Sequence, residues 1–143
     1  MYIQQIYTDC LSEASYFVSS NEEAAVIDPI RDPDFYLQIA RDNNSVIKYI
    51  FETHFHADFI SGHLELANKT HATIIFGPST KANFTFHMAK DGEEFKIGIQ
   101  NTRLNKYTIK SGQKEKKLSE CLDLYESVIS NDKSCCTNSC IVF

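Results

Sequence analysis

Apolar and polar positions change period several times along this chain, and each change marks an element. "YIQQIYT" (2–8) and "ASYFVSS" (14–20) are dominated by β-branched and aromatic residues and bounded by the turn formers Asp9, Ser12 and Asn21, which predicts two short strands. "EAAVIDPI" (23–30) is apolar at successive positions and predicts a third strand, buried on both faces. In "RDPDFYLQIARDNN" (31–44) the period lengthens. Phe35, Ile39 and Asp42 fall at helical spacing, and Leu37 and Ala40 widen the apolar face. Asp32 is the expected N-cap, Pro33 the first helical residue, and Asn43 and Asn44 the stop.

"SVIKYIFETH" (45–54) returns to extended character, and "DFISGHLELANKTH" (58–71) predicts a second helix with Ile60, Leu64 and Ala67 on its apolar face. "ATIIFGPST" (72–80) is a strand ended by Gly77 and Pro78, and "MAKDGEEFKIG" (88–98) turns at Asp91 and Gly92 into another. Strands alternating with helices predict an α/β layered domain, with helices covering a mostly β interior. No internal repeat interrupts this order.

Composition narrows the function classes. At 143 residues the chain has the length of one domain, and its net charge of −5 with scattered lysines and arginines offers no phosphate-tracking patch. Nucleic acid is therefore excluded as an expected partner. The first residues lack a basic and apolar leader, and no run approaches the length of a membrane helix, so the expectation is a cytoplasmic protein. Cys10 stands alone, whereas Cys121, Cys135, Cys136 and Cys140 cluster in the last quarter.

"THFHADFISGH" (53–63) carries the chemistry. His54 ends an apolar strand, and His56 and Asp58 follow in the connection to the next helix. Residues two apart in extended backbone point to one side, so His54 and His56 can converge on one ion, with Asp58 reaching it from the turn. Imidazole nitrogen and carboxylate oxygen suit zinc, iron(II) or manganese(II), and the absence of a nearby cysteine favours an open site. His63, in the first turn of the helix, is read as a supporting or surface residue. His71 is read as a favourable charge at the helix C-terminus, and His87 as a structural histidine among aromatics.

At this point the sequence resembles a known family. "THFHADFISGHLELA" is similar to the metal motif of the metallo-β-lactamase superfamily. "CLSEASYFV", "AAVIDPIRD", "GPST" and "DGEEFKIG" resemble the branch of persulfide dioxygenases and related metallo-β-lactamase and rhodanese fusion proteins. The resemblance runs over about residues 1–98. It implies an αββα sandwich with the metal at one edge of its two sheets. In that branch a single iron(II) is expected, with zinc(II) as the alternative. The implied substrate is a glutathione-type thiol or persulfide, whose sulfur is oxidised by dioxygen to sulfite. His54 matches the motif histidine used there as an iron ligand. His56 and Asp58 match positions that bind metal directly in the zinc hydrolases and lie close by in the dioxygenases. No nucleophilic residue is implied.

Two departures bear on function. The family pattern continues Asp-His, but Phe59 follows Asp58 and has no lone pair for a second metal ion. That favours a mononuclear iron centre over a zinc thioesterase of the glyoxalase II type. The pattern also expects a His-Thr-Pro-Gly-His type segment and a later aspartate, whereas residues 99–143 contain no histidine. The chain therefore reads as an N-terminal part of the domain (1–98) and a divergent segment (99–143), the latter either a helix over 114–132 or a disordered tail. On that reading the protein is a persulfide dioxygenase, a zinc hydrolase, or an inactive fragment whose sandwich is incomplete and whose open sheet implies association between copies. The final "CIVF" fits a prenylation box, and a membrane partner is expected only through a lipid on Cys140.

Overall fold

A mixed six-stranded sheet organises residues 1–103, which the computed structural model describes apart from Ser12 and Ser79. The expectations for a helix over 114–132 and for Cys121, Cys135, Cys136 and Cys140 lie outside the described residues. Strand β1 (Tyr2–Thr8) reaches β2 (Glu13–Ser20) through a 3-10 turn at Asp9–Leu11, and the two pair antiparallel from Tyr2 opposite Ser19 to Thr8 opposite Glu13. β3 (Glu23–Ile27) returns antiparallel beside β2.

From β3 onward the pairing is parallel. Helix α1 (Pro33–Asp42) crosses to β4 (Val46–Glu52), and α2 (His63–Thr70) crosses to β5 (Thr73–Phe76), with β6 (His87–Met88) at the edge. β7 (Glu94–Ile97) and β8 (Gln100–Arg103) form a separate antiparallel pair.

Strand alternation then builds two cores. Phe17, Ala24, Val26, Ile47 and Ile50 face Tyr36, Ile39 and Ala40 of α1 and Leu66 of α2. Val18, Ala25, Ile27, Phe51 and Ile75 face Phe95 and Ile97 of β7. β3 feeds both, as its unbroken apolar run implies. Helix layer, sheet and second strand layer thus follow in the order an αββα sandwich requires.

The buried faces of both helices differ from the spacing-based expectation. In α1, Ile39 and Ala40 are buried as the spacing implies, but Tyr36, fully buried, joins them in place of Phe35, which is 39% exposed. The ring's polar end decides this: Ser15 Oγ donates to the Ile27 carbonyl, so the Tyr36 hydroxyl donates to Ser15 (2.6 Å) and accepts from the Ile30 N–H (2.9 Å). Burial pushes that phenol up to about 12. In α2, Leu66 is fully buried while Ile60 is 67% and Leu64 44% exposed. The helix starts only at His63, because the preceding backbone is committed elsewhere. Gly62 N–H donates to the Pro29 carbonyl, and a Cβ there would lie 2.3 Å from the Ile30 carbonyl oxygen.

Glu23 ties the second strand layer to the sheet. Its Oε1 accepts from Lys48 and its Oε2 from the Gly98 N–H, both at 2.7 Å. The Lys48 bond first, and the Gly98 bond second, hold this carboxylate below its ordinary 4.5. Its contribution to stability is complete above 4.5 and disappears as pH falls through the lower folded value. Glu23→Gln is therefore expected to lower the melting temperature at pH 7, with the gap to wild type closing as pH falls below 4.5. Gly98 has φ +60, and a Cβ on it would lie 2.0 Å from the Ser20 carbonyl oxygen. Gly98→Ala should cost about 2–4 kcal/mol in urea unfolding, from the left-handed backbone and that clash together.

Candidate metal centre

The carboxyl ends of parallel strands are where open α/β sheets place their sites, and here β3 and β4 end side by side. Asp28 directly follows β3, Glu52 closes β4, and Thr53, His54, Phe55 and His56 continue from it. β2 runs antiparallel to β3, so its first residue, Glu13, starts at the same sheet edge.

Asp28 holds the loop that follows β4. Its N–H donates to the Phe51 carbonyl (2.9 Å), and its φ of +46 turns the carboxylate toward the neighbouring strand end. Oδ1 accepts from the Thr53 N–H (2.7 Å) and lies 3.2 Å from His56 Nε2; Oδ2 accepts from the Thr53 hydroxyl. A backbone conformation of this kind is costly for aspartate and persists where surrounding bonds over-determine it.

These bonds set both histidine tautomers. Thr53 gives its hydroxyl proton to Asp28, so toward His54 Nδ1, 3.1 Å away, it accepts. The His54 proton therefore sits on Nδ1 and the lone pair on Nε2. His56 donates Nε2–H to Asp28, which leaves Nδ1 as the ring nitrogen turned away from that carboxylate. The two rings lie 4.1 Å apart between centroids. Burial, and then the neighbouring His56, lower the His54 pKa, which favours the neutral ligand form. Asp58 stays exposed on the rim, and its charge is felt by both Glu13 and His54.

Beneath the motif lies a second acidic layer. Glu52 is 4% exposed; its Oε1 accepts from Ser61 Oγ (2.6 Å), and its Oε2 lies 3.6 Å from His56 Nε2. Burial first, then the charge of Asp28, push this carboxyl up to about 9, so it holds its proton at neutral pH. Ligand atoms of Asp28, Glu52 and His56 all lie within 4.8 Å of one another. Glu13 is buried with neither carboxylate oxygen hydrogen-bonded, and burial pushes it up to about 7. His63 Nδ1 approaches Glu52 Oε1 at 3.4 Å without hydrogen-bond geometry. Phe59 packs against His56 at a tilt of 50°, with centroids 4.3 Å apart.

The structure thus brings His54 and His56 together, leaves Asp58 at the rim, and adds Asp28, Thr53, Glu52 and Glu13, which spacing alone does not reveal. The available signal was an acidic residue closing an apolar strand, at "VID" and "IFE", where burial demands a partner. His71 caps α2 in left-handed conformation, and His87 Nε2 pairs with Glu93 at 2.7 Å.

The sequence profile of the metallo-beta-lactamase superfamily matches residues 8–125. This chain belongs to that superfamily. Among solved structures, a metallo-beta-lactamase from Staphylococcus aureus subsp. aureus COL is 31% identical, with a TM-score of 0.68 over 73% of this chain and 34% of its own. ETHE1 from Myxococcus xanthus is 25% identical, with a TM-score of 0.65 over 72% of this chain and 47% of its own. The chain thus spans about a third to a half of the length of these superfamily members. No curated protein matches the sequence.

Members of this superfamily typically depend on a metal, and the donor set here fits one: two adjacent imidazoles held by Thr53 and Asp28, a rim carboxylate, and a buried carboxylate lacking any donor. Thr53→Val removes the hydroxyl that orients His54 while keeping the β-branched shape. It should weaken zinc or iron binding by about 10–100-fold in chelator competition, with the circular dichroism spectrum unchanged.

Proposed function

We propose that this superfamily member carries the first ligands of a mononuclear iron(II) site that oxidises a glutathione-type persulfide with dioxygen. The observation that carries this reading is Phe59. It occupies the motif position where the dinuclear pattern continues with histidine, and its ring is packed against His56. A second metal ion would find a hydrocarbon face there instead of a nitrogen. The motif resemblance over residues 1–98 and the likeness to ETHE1 support the same branch.

His54 through Nε2 would hold the metal, with His56 through Nδ1 and Asp58 next to it at the positions that bind metal directly in the zinc hydrolases. Bound there, iron(II) supplies the redox capacity that turns a persulfide, dioxygen and water into a thiol, sulfite and two protons. The chain's own part is positional. Asp28 and Thr53 hold the two imidazoles in place, and Phe55, exposed and packed 4.9 Å from Phe76, gives the motif an apolar flank suited to sulfur. Zinc in the same ligands would support hydrolysis, but Phe59 removes a donor that a dinuclear hydrolase requires.

Full-length chain loaded anaerobically with iron(II) should consume dioxygen and release sulfite when given glutathione persulfide. His54→Ala should reduce that rate by at least about 100-fold, since metal ligation is lost. Thioester hydrolysis by the zinc-loaded chain, with no oxygen uptake by the iron-loaded one, would replace this reading with the hydrolase.

A further inference from the structure

We propose that Asp28, Glu52 and His56 form an inner cation site of manganese(II) type on the protein side of the motif, with Glu13 as its acidic wall. The distances suit an ion. His56 Nε2 lies 3.2 Å from Asp28 Oδ1 and 3.6 Å from Glu52 Oε2. Donors about 2.2 Å from one hard divalent ion stand roughly 3.1 Å apart when octahedral and 3.6 Å when tetrahedral. Two carboxylates and one imidazole make a harder donor set than the motif's two imidazoles and one carboxylate, and oxygen-rich sets of this kind suit manganese(II).

The independent sign of a missing ligand is Glu13. It is 8% exposed, and both carboxylate oxygens are buried without a hydrogen-bond partner. The charges it faces are those of His56, Asp28 and Asp58. A buried carboxyl left without a donor is costly, and native structures normally resolve such groups with an ion or an ordered water. Among the described residues, no lysine or arginine pairs with Glu13, Asp28 or Glu52. The ring of His56 approaches both Asp28 and Glu52, and His63 lies beside Glu52.

One imidazole then serves two sites. A neutral His56 has a single lone pair: with its proton on Nε2 it offers Nδ1 to the motif, and with its proton on Nδ1 it offers Nε2 to the inner ion. Occupancy of the inner site therefore competes with metal at the motif.

The test is a manganese(II) titration of the metal-stripped full chain, followed by loss of the free-ion electron paramagnetic resonance signal. Wild type and the His54→Ala/Asp58→Ala double variant should each bind one ion. Glu52→Gln and Glu13→Gln should each weaken binding by at least about tenfold. Glu13→Gln also removes an uncompensated buried acid, so its melting temperature without metal should equal or exceed wild type, which separates lost binding from lost folding. Wild type that binds no manganese, a double variant that binds none, or Glu13→Gln and Glu52→Gln that both bind as wild type, would overturn the inner site. The titration reads the ion alone, so failure of persulfide oxidation leaves its outcome unchanged.

Discussion

The carboxylate of Asp28 is the point on which the site depends. It stands where a strand buried on both faces ends, so its backbone cannot move without disturbing two cores at once. From that fixed place it accepts from the Thr53 N–H, the Thr53 hydroxyl and the His56 ring. The strand–loop junction that would otherwise be an unanchored turn becomes a rigid frame, and two histidines acquire defined tautomers. Precision of this kind comes from sheet packing, which has few soft degrees of freedom, more than from the loop itself.

Electrostatics complete the frame. Three carboxyls, Glu13, Asp28 and Glu52, share one buried sheet edge, and among the described residues no lysine or arginine pairs with them. Burial pushes Glu52 up to about 9 and Glu13 up to about 7, so the cluster limits its own charge by retaining protons. The same burial lowers His54 and His63 and favours their neutral form. A cation bound there would take the place of the retained protons. This links the acidic layer to the metal dependence typical of the superfamily.

Helix α2 shows how the site shapes the fold around it. Its start is delayed to His63 because Ser61 donates to Glu52 and Gly62 lies against the loop after β3. The cost is a buried face reduced to Leu66, with Ile60 and Leu64 left facing solvent. The site thus takes backbone that periodicity alone would assign to the helix.

Much was legible in the residues themselves. The succession of strands and helices from β1 to β5 and the double burial of β3 follow from period and composition, since alternation and helical spacing are local properties. The histidine pair stands out for the same reason: two residues of spacing suffice to put both on one side. Asp28 and Glu52 are different. They are 24 positions apart in "VID" and "IFE", and only the parallel register of β3 and β4 sets them beside one another. Glu13 joins them because β2 runs the other way, bringing a strand start against strand ends. Tyr36 rather than Phe35 turns inward because two hydrogen bonds wait there for its hydroxyl. Period, spacing and the motif were properties of neighbouring residues, which the sequence by itself determined. Which acids met, which ring faced the core and where α2 began depended on partners distant in the chain, and only tertiary packing chose among them.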